Sequence, residues 1–149
     1  MYSIFRLRDV FCSINESEFN NCLKDSEDFA IQYKCCMNSI NKLSSHTLHE
    51  LMDGKGFRHC HKVSDDKEDK AYRIIKKLCE KVEMPENYFE QNVGSESVFQ
   101  IGFEGSARFF GTIKGNIFRL LFVDYFHSFS YEERYNQRNL KNYKYCPMG

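Results

Sequence analysis

The chain has 149 residues, of which 42% are hydrophobic, and this suits a single domain with one core. Its 21 basic and 21 acidic residues balance, so the net positive charge typical of DNA-binding domains is missing. No segment approaches the roughly 20 apolar residues that span a bilayer, and the N-terminus lacks the basic-then-apolar order of a signal peptide. We therefore expect a single cytoplasmic domain over residues 1–149, without a membrane segment.

The cysteine content is odd in number and irregular in spacing. With no export signal, the seven thiols are expected to be mostly free, and several are expected to be buried as small hydrophobic side chains. They are Cys12, Cys22, Cys35, Cys36, Cys60, Cys79 and Cys146.

Residues 1–84 form a mainly helical half. Apolar residues at three- and four-residue steps predict a helix from Glu16 to about Leu43, with a break near residues 25–28. A short second helix is predicted after Thr47, whose capping box includes Glu50, and it ends before Gly54. The third helix is expected after Ser64 and is stopped by Pro85. Its buried stripe is Ala71, Tyr72, Ile75, Leu78, Cys79 and Val82.

The second half has the alternating pattern of strands, predicted at 97–103, 107–113 and 117–126. Gly115-Asn116 predicts a two-residue hairpin turn, because both residues tolerate positive φ angles. A polar tail over 131–149, with a short helix and an extended end, completes the chain. The predicted fold class is α+β, with N-terminal helices packed on one face of an antiparallel β-meander at 97–127.

The hairpin register predicts two different sheet faces. Pairing backwards from the turn sets Thr112 opposite Arg119, Phe110 opposite Leu121 and Arg108 opposite Val123. The core face then carries Phe109, Ile113, Phe118, Leu120 and Phe122. The other face carries Arg108, Phe110, Thr112, Arg119, Leu121, Val123, Tyr125 and, if the strand continues, His127.

Arg108, Tyr125 and His127 would form a compact cluster on that second face, with Arg119 as an outlying cation. Arginine neutralises phosphate, histidine transfers protons near neutral pH, and tyrosine stacks on bases. The alternative is that these side chains are ordinary surface residues on the solvent side of a half-exposed sheet.

The runs Ser106–Phe110, Phe118–Phe122 and Tyr125–His127 resemble the C-terminal part of RelE/YoeB-type toxins. The resemblance implies a small antiparallel sheet that cleaves mRNA, often on the ribosome, and a partner antitoxin that blocks it. It places Arg108 and Arg119 at phosphate, and Tyr125 and His127 in proton transfer. The attack of a ribose 2′-OH would need no metal or other cofactor.

Two other functions stay open at this stage. The first is a non-enzymatic protein, encoded by a phage or mobile element, that binds a host protein through Phe110, Tyr125, Tyr131 and Tyr135. The second is a zinc-stabilised module, for which the ligand types but not the spacings are present. The zinc candidates are His46, His49, His59, Cys60 and His61, with Cys35 and Cys36 upstream.

The tail also carries basic residues among tyrosines. Such segments can bind single-stranded RNA or an acidic partner, but they are more often polar surface. These residues are Arg134, Arg138, Lys141 and Lys144, with Tyr131, Tyr135, Tyr143 and Tyr145.

Overall fold

The computed structural model describes residues 7–85, 87–130 and 140–149. The α-helices are α1 (Ser26–Leu43), α2 (Leu48–Met52), α3 (Asp65–Lys81) and α4 (Tyr88–Asn92). The strands are β1 (His61–Lys62), β2 (Val98–Ile101), β3 (Arg108–Lys114) and β4 (Ile117–Asp124). Two 3₁₀ turns lie at Leu7–Phe11 and Leu140–Asn142. The α+β fold class is therefore confirmed, and the structure adds β1 and α4 to the predicted elements.

The helix starts follow local capping chemistry. The Asp25 carboxylate accepts the Asp28 N–H (2.8 Å) at the start of α1, and the Thr47 hydroxyl accepts the Glu50 N–H (3.1 Å) at the start of α2. Ser64 precedes α3 with extended backbone, although its side chain makes no capping bond. These three N-termini lie where the sequence predicts a cap or a break.

The predicted helix from Glu16 is wrong before Ser26. Asn15 and Asn20 form an isolated bridge there, and asparagine side chains form hydrogen bonds with backbone groups that a helix would pair with each other. The Asn21 side chain accepts the Ile14 N–H (2.8 Å) and donates to the Val123 carbonyl (2.9 Å). Asparagine competes with helical backbone bonding in this way, so the segment becomes an ordered connection to β4.

The four strands form one antiparallel sheet in the order β1-β2-β3-β4. The predicted hairpin register is confirmed from Lys114–Ile117 to Thr112–Arg119. Beyond it the prediction is wrong, because a β-bulge interrupts the register between Phe110 and Gly111. Phe110 faces Phe122, and Arg108 faces Asp124, each one residue further along β4 than predicted.

The bulge changes which side chains reach the interior. Phe110 stacks on Phe122 with ring centroids 4.8 Å apart, and Phe19 and Phe129 pack against this pair. All residues from Arg108 to Thr112 and from Leu121 to Asp124 are buried. Because successive residues of a strand point to opposite faces, the centre of the sheet is covered on both sides. The predicted solvent-exposed second face is therefore wrong at its centre.

Within the described residues, no helix is long and apolar enough to cross a membrane. The buried hydrophobic residues form one cluster from Val10 to Leu140. The C-terminal end joins this body through an isolated bridge between Leu23 and Tyr145.

Candidate functional site

A cleft of about 1290 Å³ opens at one end of the sheet. Two loops form its walls, one ahead of β1 and one between β2 and β3, and the segment after β4 closes it. It is lined by Gly54, Lys55, Gly56, Phe57, Arg58, His59, Gly102, Phe103, Glu104, Gly105, Ser106, Arg108, Phe126 and His127.

The antiparallel topology explains why these segments meet. The start of β1, the end of β2, the start of β3 and the end of β4 all lie at one end of an antiparallel sheet. Pairing of His61 with Gln100 fixes β1 against β2, and the Gln100 side chain donates to the His59 carbonyl at 3.1 Å. One cleft therefore contains His59, just before β1, Arg108, at the start of β3, and His127, just after β4.

Two arginines contact the His59 ring, one at each ring nitrogen. The Arg108 Nη2 atom lies 3.2 Å from Nδ1, and the Arg58 Nε atom lies 3.3 Å from Nε2. Burial, followed by the charges of Arg108 and Arg58, lowers the pKa of His59 to about 4. His59 is therefore a neutral imidazole at physiological pH, and it can accept a hydrogen bond at one nitrogen only.

Arg108 is the buried cation of the site, with a residue exposure of 5%. Its Nη1 group donates to the carbonyls of Gly105 and Ala107, both at 2.8 Å. No carboxylate of the described residues lies within ion-pair distance of this guanidinium, and its buried Nε group has no hydrogen-bond partner among them. Burial lowers the pKa of Arg108, because the charge has lost water, and the charge of the Asp124 carboxylate opposes this shift.

His127 is held by a turn with an unusual backbone. Its φ angle is 60°, in the left-handed region that side chains other than glycine seldom adopt. The buried Asp124 carboxylate accepts the N–H groups of Ser128 (2.9 Å) and Phe129 (2.8 Å), which fixes the chain around His127. Strain of this kind is concentrated at functional sites.

The charges and rings of the cleft favour an anionic ligand with flat groups. Lys55, Arg58 and Arg108 supply positive charge against the single carboxylate of Glu104. Phe57 and Phe103 add two partly exposed rings, the kind of surface on which nucleic-acid bases stack.

The structure brings together two of the four predicted catalytic residues. Arg108 and His127 both line the cleft. Tyr125 is fully buried, and burial raises the pKa of its hydroxyl. Arg119 lies towards the hairpin turn and pairs with Glu96 at 2.6 Å. The predicted placement of Tyr125 on an exposed face is therefore wrong, and Arg119 belongs to a separate ion pair.

The zinc candidates do not form a common site. Among the described residues, no group of three or more His, Cys, Asp or Glu side chains is arranged to hold a metal ion. His46 pairs with Glu50 (3.0 Å), and the Cys60 thiol donates to the Gly102 carbonyl (3.4 Å). The His61 ring lies against the Lys62 carbonyl (2.9 Å), so these side chains have separate partners.

His49 is exposed on α2 and lies outside the cleft, while Cys35 is exposed and Cys36 is buried on α1.

Fewer of the residues predicted to anchor a protein partner are accessible in the structure. Phe110 and Tyr125 are fully buried and offer no surface to a partner. Tyr131 and Tyr135 lie outside the described residues, as do the tail arginines Arg134 and Arg138.

Sequence reasoning missed the loop ahead of β1. Arg58 and His59 reach the site because β1 pairs with β2, and a strand of two residues gives almost no periodic pattern. The run Lys55-Gly56-Phe57-Arg58-His59, with basic and aromatic residues around a glycine, is the feature that could have revealed it.

Comparison with protein-family models gives one assignment. The model described as uncharacterised protein UU032 matches residues 6–149. The chain belongs to this family. Comparison with curated proteins and with solved structures finds no match for the chain. The relation of this family to RelE/YoeB-type toxins stays a prediction.

Proposed function

We propose that the cleft binds phosphate groups of single-stranded RNA and cleaves the RNA backbone without a metal ion. One observation carries the proposal: the buried Arg108 guanidinium contacts His59, lines the same cleft as His127, and makes no ion pair within 4 Å among the described residues. The Asp124 carboxylate acts on this charge only from beyond ion-pair distance, so a phosphate would supply both a close counter-charge and oxygen acceptors in the geometry that arginine prefers.

The size of the cleft favours a polymer over a single small molecule. Its volume of about 1290 Å³ exceeds the range of roughly 300–1,000 Å³ that is typical of small-molecule pockets. An open groove with two rings and three cations fits successive nucleotides of a single strand.

His59 is suited to the part of general base. In the free protein Arg58 and Arg108 compete for one imidazole lone pair. A bound phosphate offers both arginines a charged acceptor, so the lone pair of His59 becomes available and its pKa rises towards the ordinary value. It can then remove the proton of a ribose 2′-OH, because its pKa is closer to neutral pH.

His127 is suited to the part of general acid. After the 2′-oxygen attacks phosphorus, the bond from phosphorus to the 5′-oxygen breaks, and the leaving oxygen takes a proton from the His127 ring. Arg108 stabilises the charge on the phosphoryl oxygens during this step. The products are a 2′,3′-cyclic phosphate and a free 5′-hydroxyl.

This proposal keeps the RNA-cleaving activity that the RelE/YoeB resemblance implies but changes its site. The proposed site keeps Arg108 and His127 from the original prediction and adds His59 and Arg58. It no longer includes Tyr125 and Arg119. Inhibition by an antitoxin and action on the ribosome stay predictions of the resemblance alone.

The test uses a fluorescently labelled RNA oligonucleotide with excess EDTA. The wild-type protein should give 2′,3′-cyclic phosphate ends and leave DNA of the same sequence intact. His59→Ala and His127→Ala should each slow cleavage by about 10²-fold or more. His49→Ala is the matched control, because this exposed histidine lies outside the cleft.

Two outcomes would count against the proposal. Binding of RNA without cleavage would remove the catalytic part and leave an RNA-binding cleft. A protein that neither binds nor cleaves RNA would refute it and favour the protein-interaction alternative.

A further inference from the structure

A second reactive cluster lies away from the cleft, where the two ends of the chain meet. Cys12 follows the first 3₁₀ turn, and Cys146 follows the bridge that joins Tyr145 to Leu23. The two thiol groups lie close enough to interact, because the N–H of Ser13, the neighbour of Cys12, donates to the Cys146 sulfur across 133 residues of sequence. The fold therefore builds a cysteine pair that sequence spacing does not indicate.

The surroundings of the Cys146 sulfur stabilise negative charge. The Ser13 N–H donates to it at 3.2 Å, and the Met148 backbone N–H lies nearby. The Lys81 ammonium lies close by, where it donates to the Ser13 carbonyl at 2.5 Å. The Cys12 thiol, followed by these amides and Lys81, lowers the pKa of Cys146 below that of an ordinary thiol, against the opposing effect of burial.

Cys12 has the opposite character. It is 2% exposed, its thiol points to the Ser13 carbonyl at 4.0 Å, and the nearby Cys146 sulfur, followed by burial, raises its pKa. A protonated, buried thiol in contact with a half-buried thiolate is the arrangement expected of a resolving cysteine beside a reactive one.

We propose that Cys146 is a site of oxidation by small hydroperoxides, and that Cys12 resolves the oxidised sulfur as an intramolecular disulfide. Two features support the assignment: the Ser13 N–H that donates to the Cys146 sulfur, and the second thiol close beside that sulfur. Neither Cys12 nor Cys146 lines the cleft, so this site does not depend on the proposed ribonuclease.

The chemistry balances with the hydroperoxide as oxidant. The Cys146 thiolate attacks one peroxide oxygen and the O–O bond breaks, giving a sulfenic acid and hydroxide. The Cys12 sulfur then attacks the Cys146 sulfur, the S–O bond breaks, and water leaves with the thiol proton. Counted from the thiolate and the thiol, the protein loses two electrons and one proton. Hydrogen peroxide gives one hydroxide and one water, and the hydroxide takes a proton from solvent to form a second water.

Lys81 and Ser13 position this chemistry without reacting. The Lys81 ammonium fixes the Ser13 carbonyl, so the Ser13 N–H stays directed at the Cys146 sulfur. Lys81→Met should therefore slow oxidation of Cys146 while the protein remains folded. Lys81→Arg, which keeps the charge and the donors, should restore much of the rate.

The first experiment measures thiol reactivity in the full chain. At about pH 5.5 an ordinary thiol is roughly 0.1% thiolate, because its pKa is about 8.5. Cys146 should react with iodoacetamide at least about tenfold faster than Cys35, an exposed cysteine on α1 that serves as the internal control. Peptide mapping assigns the modified residue.

The second experiment uses hydrogen peroxide and mass spectrometry. Wild-type protein should lose the mass of two hydrogens and give a Cys12–Cys146 disulfide in the non-reduced peptide map. Cys12→Ser should instead accumulate a Cys146 sulfenic acid that dimedone traps. Cys35→Ser should behave as wild type. Circular dichroism confirms that each variant is folded.

Three results would overturn the assignment. The first is alkylation of Cys146 no faster than that of Cys35. The second is a peroxide-induced disulfide that joins Cys146 to the neighbouring Cys22 in place of Cys12. The third is a wild-type chain that keeps both thiols under peroxide concentrations that oxidise free cysteine.

Discussion

The position of the Arg108 guanidinium can be changed without removing its charge, through Gly102. A methyl group on Gly102 would lie 2.8 Å from Cδ of Arg108 and 3.3 Å from both Nε and Nη1. Ordinary carbon contacts begin at 3.4 Å, so Gly102→Ala must push the Arg108 side chain away by roughly 0.6 Å or rotate it towards the cleft.

The magnitude follows from the three bonds that hold the guanidinium. They measure 2.8 Å to Gly105, 2.8 Å to Ala107 and 3.2 Å to His59. A shift of roughly 0.6 Å takes the first two to the limit of a useful hydrogen bond and the third beyond it. Because the displaced group reaches water in the cleft, we expect a stability loss of about 1–2 kcal/mol rather than the full value of three charged bonds. A similar loss in phosphate binding weakens RNA affinity about 5- to 30-fold.

The matched control is Gly56→Ala in the same cleft. A methyl group there meets no atom within 4 Å, and Gly56 has no positive φ. Fluorescence anisotropy with a labelled RNA oligonucleotide measures affinity, and urea denaturation measures stability. The pKa of His59, read from its ring proton resonances without ligand, reports whether Arg108 has moved, and it should rise in Gly102→Ala.

A folded Gly102→Ala protein with wild-type RNA affinity and an unchanged His59 pKa would refute this reasoning. If affinity fell equally in Gly56→Ala, the loss would come from crowding of the cleft, and Arg108 would not be the anchor.

Three further predictions concern pH and stability. His59 should titrate near pH 4 in the free protein, below the ordinary 6.5, so stability should fall as pH drops from about 6.5 to about 4, and His59→Ala should remove this dependence in urea titrations. Asp124→Asn leaves one of two buried N–H groups without its acceptor and should cost about 1–3 kcal/mol, and unchanged thermal unfolding would contradict it. Gly111→Ala would overlap the Arg119 carbonyl, and we expect a loss of about 3 kcal/mol or more in denaturant midpoint experiments.

Local sequence rules accounted for the elements whose determinants lie within a few residues. Asp25, Thr47 and Ser64 mark the starts of three helices, and the 115–116 turn sets the hairpin, with Gly115 at a φ of 62°. The spacing of apolar residues also gave the buried face of α3, to which the structure adds Ile74. Capping and turn formation involve neighbouring backbone groups only, so they can be read without the rest of the chain.

The candidate site depended on long-range contacts. A single extra residue at the bulge set Arg108 opposite Asp124, and Tyr125 is buried because both sides of the sheet are covered at this end. Packing of Phe110 on Phe122 accompanies this shift, and no local propensity encodes the match of two distant rings.

The sequence by itself determined the starts of α2 and α3, the hairpin turn and the chemical types available for a site. Tertiary structure alone decided which of them meet, since β1 brings His59 to Arg108 across 49 residues and the chain ends bring Cys12 to Cys146. Residue spacing limits the distance between near neighbours, whereas contacts between distant residues are set by the packing of the whole core.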